Sequence, residues 1–530
     1  MYKIGKVGED CRCAVKSLKM KMDTEQREGT VMLIKAIIGA AALVFPRCYQ
    51  RAGIVPATLA LVVAGWAGVV VGDLLMDTRR ALGPKVSTFR EMGVAATGGS
   101  RWGGIILDAT VTLQSFGTLV GYVVAVGDLV SSTLRKVLNM PELIEIPSYA
   151  THVLFSMSED AQLRLFITLR SFSLIVLTLF VFFPLCLLKR LESLRSLAAS
   201  TMVIYCIFLL VLLKESATRV ALGDFHIGES GDEPAVLASA PLNWMNGGLG
   251  NLFRVLPIIA LSYSCVPLAI EVRRTLERKL PSQKQVETAW RVVSISSFAA
   301  SGFFYIATGF LGYIAFRGST NANVLNNLEG LGWIATLVNA LFAASLIVSY
   351  PLICFVVREP VRRVLYSLVS LVIRSDTVDD SESGDHARQQ DIERNNATAK
   401  TEFSLDTVID DDDDNRSTDS KEYTPPWLLF TLEAAIVTSA TLAAAIAVPG
   451  IDVVLELIGG TAAVFVSYVA PVGLFFLVKP EPTFRRDWFK ALVIGFVGVW
   501  IGILTCWNLY ASLRSSHSSS AASQPVVPAH

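Results

Sequence analysis

Apolar residues in this chain come in long unbroken runs, not in the alternating or one-faced stripes of soluble strands and helices. Runs of about 17 to 25 such residues read as membrane-crossing helices. Eleven are predicted: Val31–Tyr49, Ile54–Met76, Trp102–Leu129, Ser171–Leu188, Leu197–Leu213, Leu252–Ile270, Val292–Phe316, Leu331–Val356, Trp427–Val448, Val453–Val478 and Trp488–Leu509. The expected organisation is a tail at residues 1–30, eight spans within 31–374, a polar loop at 375–425, three spans within 426–510 and a second tail at 511–530. The fold class expected is an all-α integral membrane protein.

Two runs are interrupted. The first reads Val31-Met-Leu-Ile-Lys35-Ala-Ile-Ile-Gly39-Ala-Ala-Ala42-Leu-Val-Phe-Pro46, with an ammonium, a run of very small side chains and then a proline. Glycine and proline both loosen the helical hydrogen-bond ladder. The sixth clusters polar residues, Ser262-Tyr263-Ser264-Cys265, between Pro257 and Pro267. In a bilayer, irregular backbone survives only where protein covers it or it lines a cavity. Interruptions in spans one and six, five helices apart, point to two inverted five-helix halves with a binding site between them. The plainer alternative is a small-residue face for helix packing.

Composition agrees. Of 530 residues 52% are hydrophobic and 17% charged, outside the range of a typical soluble domain. The net charge is zero and basic residues fall in short loops, so a nucleic-acid partner is not expected. The eight cysteines offer no disulfide framework or metal spacing; Cys11-x-Cys13 reads as a pair of tail thiols. Residues 1–29 are basic and polar, without the apolar core or cleavage site of a signal peptide. With the N-terminus in the cytosol, inner segments hold 34 Lys and Arg and outer ones 11, with Lys35 the remaining one of 46. That threefold bias sets the expected orientation, and an odd number of spans puts the C-terminus outside or in an organelle lumen. Residues 375–425, with the Asp410–Asp414 run, carry too little apolar surface to fold and read as a disordered cytosolic linker. The sequons at Asn396 and Asn415 lie in it and are expected to stay unmodified.

Several stretches together carry a family resemblance. They are Leu33 to Pro46 in span one, and Leu113-Gln114-Ser-Phe116-Gly117 to Gly121-Tyr122 and Gly127-Asp128 in span three. Phe183-Pro184-Leu185 with Leu188 to Leu194 follows, then Ser349-Tyr350-Pro351-Leu352 with Arg358, and Leu457-Ile-Gly-Gly460-Thr461 with Pro471. In this order they resemble the amino acid/auxin permease family, a branch of the amino acid–polyamine–organocation group, over roughly residues 28–360 and 425–510. The resemblance implies a LeuT-like 5+5 inverted repeat plus one extra helix, with helices 1 and 6 broken. Ala41 stands where the family usually has its second glycine, and Val266 where some branches carry a histidine.

What the resemblance implies is secondary transport of a free amino acid by alternating access, in a plasma membrane or a vacuolar or lysosomal one. Broken helices offer N–H groups to a carboxylate and carbonyls to an ammonium without a buried charged side chain. The backbone at Gly39, Ala40, Ala41 and Ala42 and at Ser262, Tyr263, Ser264 and Cys265 is the expected head-group site. Gln114 and Tyr122 are candidates from span three, Gly460 and Thr461 from span ten. Asp73, Asp108 and Glu433 read as interfacial groups or partners of inner arginines.

Lys35 is the ion-coupling candidate. Sodium-coupled branches of the resembled family tend to place asparagine there, whereas lysine has three donors and no acceptor. Protons, or exchange without an ion, are therefore expected over sodium. Snorkelling of Lys35 to the surface is the alternative. The lipid bilayer and an amino acid, with H+ as candidate coupling ion, are the partners expected. No cofactor or enzymatic chemistry is, since no nucleophile–base pair, metal-ligand helix or phosphate loop is present. The competing class is an amino-acid sensor built on the same pocket, because fold alone does not decide function. A channel would need a filter loop or charged pore helix that the sequence lacks.

Overall fold

The computed structural model describes residues 22–83, 86, 88–137, 170–187, 192–222, 242–245, 248–328, 332–376, 427–448 and 450–522. Most of the polar loop and its sequons, the Cys11/Cys13 pair and both chain ends lie outside these residues. Every regular element among the described residues is helical. In chain order they are α1 (residues 22–37), a 3-10 turn at Ala40–Leu43, α2 (Phe45–Ala52), α3 (Ile54–Leu82), α4 (Phe89–Ala96) and α5 (Arg101–Val137). Then come α6 (Arg170–Cys186), α7 (Glu192–Leu222), α8 (Gly248–Ser262), α9 (Val266–Lys279) and α10 (Gln283–Phe316). The last are α11 (Val324–Asn327), α12 (Trp333–Asp376), α13 (Trp427–Ala447), α14 (Ile451–Val478) and α15 (Thr483–Ala522).

Nine helical segments among the described residues are long and apolar enough to cross a membrane, and α6 is a shorter apolar helix. The chain is thus a multi-pass membrane protein. The first predicted span falls on α1, the 3-10 turn and α2, none of which reaches that length alone. Helix α1 already covers residues 22–30, before the apolar run, where Glu25–Glu28 is good helix-forming sequence and Glu25 and Glu28 pair with Lys279. Large apolar side chains such as Phe180, Phe303, Phe496 and Trp507 are exposed on outward faces, as lipid contact requires.

The described residues form two compact units. The larger comprises Met1–Val357 and Val437–His530. One of its cores joins α3, α8, α14 and α15 through Val71, Leu74, Ala260, Val472, Phe475 and Ile494. Gly53 turns the chain between α2 and α3 at φ 90°, a left-handed conformation that suits glycine. The carbonyls of Asn243 and Trp244 then accept from the first amides of α3, at 3.0 and 3.1 Å. Those amides have no partner within the helix.

The smaller unit, Arg358–Ile436, includes the C-terminal half of α12 and the first ten residues of α13. Arg358, 1% exposed, lies over the Phe430 ring at 4.1 Å and donates to the Phe430 carbonyl at 2.8 Å. Arg362 grips the fully buried Glu433 with two bonds, 2.8 and 3.0 Å. Removing one partner of such a pair strands a buried charge, at a cost of about 3–5 kcal/mol. Arg362→Ala is therefore expected to lower the detergent melting temperature by several degrees and cut the protein recovered. Arg362→Ala with Glu433→Gln should restore part of the loss, as fluorescence-detected melting would show.

Candidate functional site

The two interruptions come together. Helix α1 ends with Ile38 N–H donating to Ile34 O (2.8 Å), and the chain bends at Ile38–Gly39. It tightens into the 3-10 turn, with Ala42 N–H to Gly39 O and Val44 N–H to Ala41 O, both 3.1 Å. It resumes as α2 with Pro46 in the first turn, where the missing N–H has no intrahelical bond to lose. Likewise α8 stops at Ser262; Tyr263, Ser264 and Cys265 turn the chain before α9 opens with Pro267 in its first turn. In each case a proline fixes where the second helix starts, and small or polar residues fill the turn before it.

Two tyrosines occupy the carbonyls that these helix ends free. The Tyr305 hydroxyl, on α10, donates to Ile37 O at 2.5 Å and lies 3.2 Å from Ser262 O, so one hydroxyl touches both interruptions. The Tyr205 hydroxyl, on α7, donates to Ile38 O at 2.9 Å. Tyr305 is wholly buried, its ring 4.6 Å from that of Phe45.

A second cluster joins α5, the α8–α9 turn and α14. Gln114 Nε2 donates to Ser264 Oγ at 2.6 Å, and Ser467 Oγ donates to the same oxygen at 2.5 Å. Gln114 Oε1 is buried without a hydrogen-bond partner among the described residues. Ser467 lies in one of two π-helical turns, Gly459–Ala463 and Phe465–Val469, that widen α14. Such turns are frequent at functional sites. Tyr122 comes from α5 toward the other interruption: a methyl added at Gly39 would sit 3.3 Å from its hydroxyl.

The other candidates from the sequence are placed differently. Ala40, Ala41 and Ala42 are all buried in the 3-10 turn. Tyr263 turns toward α3 and α10, stacking on Phe298 at 5.9 Å with its hydroxyl buried and unpartnered. With Cys265 and Ser467 it lines a narrow, mostly apolar cavity floored by Gly68 and Gly72. Gly460 packs on Thr505 of α15, and the Thr461 hydroxyl donates back to Leu457 O at 2.7 Å, so neither joins the cluster. The Lys35 Nζ is buried without a hydrogen-bond partner among the described residues. Asp108 pairs with Arg90 at 2.9 Å, and Asp73 accepts from the Trp290 ring N–H at 3.3 Å.

Tyr205, Tyr305 and Ser467 were not singled out by the sequence. One signal did point to Tyr305. Ser294, Ser301 and Thr308 recur every seven residues of α10 and are all fully buried, marking an inward polar face in an apolar span. Tyr305 stands on that face, four residues past Ser301.

Ion pairs lie on either side of the interruptions along the chain. Arg51, at the end of α2, meets Asp452, at the start of α14, at 3.1 Å. At the other ends of the interrupted helices, Lys279 of α9 meets Glu25 and Glu28 of α1 at 2.8 and 3.2 Å. Arg79 of α3 also reaches Glu277 of α9 at 2.9 Å.

Residues 22–511 match the family described as transmembrane amino acid transporter protein. The chain belongs to this family. Among curated proteins of the transporter family's kind, solute carrier family 38 member 10 of Mus musculus is 22% identical over 335 residues. That match takes in 63% of this chain and 26% of the mouse protein. Sodium-coupled neutral amino acid transporter 7 of Danio rerio is 21% identical over 327 residues, 61% of each chain. The family member described here thus aligns with about a quarter of the length of the first relative and three-fifths of the second. A crystal structure of a manganese transporter from Eremococcus coleocola overlays with a TM-score of 0.43 at 12% identity, covering 96% of this chain and 90% of that one.

Proposed function

We propose that this protein carries free amino acids across a membrane by alternating access, binding them where the two interrupted spans meet. The observation that carries this reading is the convergence of both interruptions on one buried polar centre, the Tyr305 hydroxyl touching Ile37 O and Ser262 O. A zwitterion needs acceptors for its ammonium and donors for its carboxylate. Helix ends supply both without a buried charged side chain. Gly39 to Ala42, Ser262 to Cys265, Gln114 and Tyr122 are the residues we assign to this pocket, with Ser467 added and Gly460 and Thr461 set behind it. The reading includes eleven spans arranged as a LeuT-like pair of inverted halves plus one helix, with the N-terminus cytosolic. Neutral amino acids are the substrate class we favour, in keeping with the name of the Danio rerio relative.

In that orientation Arg51–Asp452 closes the outer side, and Lys279 with Glu25 and Glu28 closes the inner one. Each pair keeps one partly exposed member, 24% for Arg51 and 41% for Lys279. In each pair the carboxylate, Asp452 or Glu25, is buried, so parting the pair requires that carboxylate to be rehydrated as its side opens.

Coupling to protons, or exchange without an ion, is preferred over sodium. Lys35 lies one helical turn before Gly39 with its Nζ buried. An ammonium cannot ligate Na+ and repels it in a low-dielectric site. The name of the Danio rerio relative favours the second reading, a sodium symporter. Uptake into proteoliposomes, tested against the twenty standard amino acids, decides between them. Replacing sodium with choline is expected to change uptake by less than about twofold, well short of the tenfold that each 1.4 kcal/mol represents. Lys35→Met is expected to abolish any response to an imposed pH gradient. Strict sodium dependence with no response to pH would favour the symporter, and binding without turnover would favour a sensor.

A further inference from the structure

We infer that the Tyr305 hydroxyl competes with the substrate's ammonium group for the same helix-end carbonyls and so sets how tightly an amino acid binds. The inference rests on the proposed amino acid site. A hydroxyl has one proton to donate, yet Tyr305 faces two carbonyls from different spans, Ile37 O at 2.5 Å and Ser262 O at 3.2 Å. Tyr205 supplies the adjacent Ile38 carbonyl at 2.9 Å. Buried carbonyls at helix ends need donors, and leaving one unmet is costly. The two tyrosines meet that need. An ammonium brings three donors to acceptors of the same kind, so it competes with the tyrosine protons for them.

Linkage gives the sign. A contact present in the empty protein and surrendered on binding works against the ligand. Removing it weakens the empty form more than the loaded one, so apparent affinity rises. Tyr305 acts here as a positioning residue: its hydroxyl ties Ile37 to Ser262, and that tie gives way when the ammonium takes over. A purely structural tyrosine would stabilise both forms alike.

The test is Tyr305→Phe in the full-length protein, with melting measured in detergent against each of the twenty standard L-amino acids and uptake measured in proteoliposomes. The expected result is a lower melting temperature without amino acid, and a difference from wild type that shrinks at saturation. The apparent dissociation constant and KM should fall about fivefold, the size of one net hydrogen bond, with kcat not rising. Tyr205→Phe, which uncovers one carbonyl of one span, should tighten binding less, and it carries the same test if Tyr305→Phe does not fold. Equal loss of melting temperature with and without amino acid, with KM unchanged or raised, would overturn the inference.

If the wild type binds none of the twenty, the transport reading is what fails. The tie is then read from alkylation of Cys265, a buried thiol in the second interruption. Faster labelling by a maleimide in Tyr305→Phe, followed at that peptide by mass spectrometry, keeps the tie. Equal labelling rates remove it.

Discussion

Gly39→Val is expected to lower uptake about a hundredfold, the scale of misplacing a bound substrate by an ångström, while leaving the amount of protein in the membrane unchanged. Gly39 has φ −135° and ψ −155°, extended backbone that any residue adopts and that a β-branched residue favours. The substitution therefore adds no backbone strain. What it adds is volume, and the first carbon already lands 3.3 Å from the Tyr122 hydroxyl. The two methyls beyond it crowd the space between that hydroxyl and the bend in span one, where we propose the substrate's head group binds. Gly39→Ala should be intermediate, about tenfold, as expected for one carbon too many in a packed site.

Tyr122→Phe combined with Gly39→Ala separates the causes. Deleting the oxygen that the new methyl meets should recover uptake beyond the sum of the two single effects, a coupling that residues in contact show and distant ones do not. Unchanged uptake in Gly39→Val would take span one out of the site. Loss of protein and of melting temperature instead of uptake would make Gly39 a packing residue.

Ser264→Ala is the second large effect, about 10- to 100-fold in kcat/KM. Ser264 Oγ receives both Gln114 Nε2 and Ser467 Oγ. Removing it leaves two buried donors unmet, each costing about 1–3 kcal/mol. Gln114 also loses what holds its amide in place, and its Oε1, which has no hydrogen-bond partner among the described residues, can turn away. Ser467→Ala removes one contact and leaves Gln114–Ser264 intact, so a smaller loss, about fivefold, is expected. Uptake kinetics on the two variants at matched protein amounts give the ranking. A larger effect for Ser467 than for Ser264 would contradict the arrangement argued here.

Between sequence and structure, the division falls along range of contact. Most of the apolar runs, and the helix ends near Gly39 and Ser264, were legible, because burial in lipid and the missing N–H of Pro46 and Pro267 act through residues adjacent in the chain; helix lengths were not, since α12 and α15 run well past their apolar stretches. Motif order singled out Gln114 and Tyr122, which the fold sets against Ser264 and beside Gly39, and the pairing of Asp108 with an arginine was legible through its place near a span end. For Tyr305 the polar repeat of α10 marks an inward face without saying what it meets, and Tyr205 was not legible. Their hydroxyls meet carbonyls 268 and 167 residues away, and an aromatic in an apolar span looks alike whether it faces lipid, core or site. Ser467 and Gly460 show the same limit on one helix. Both are small residues of span ten, and helical period should decide which face each occupies. The two π-helical turns rotate that face, bringing Ser467 to Ser264 and turning Gly460 against Thr505. Sequence alone determined that the chain crosses a membrane in many helices and where two of them are interrupted. Tertiary structure alone decided which side chains meet those interruptions, because that depends on how each helix is rotated about its axis, and packing against neighbours sets that rotation.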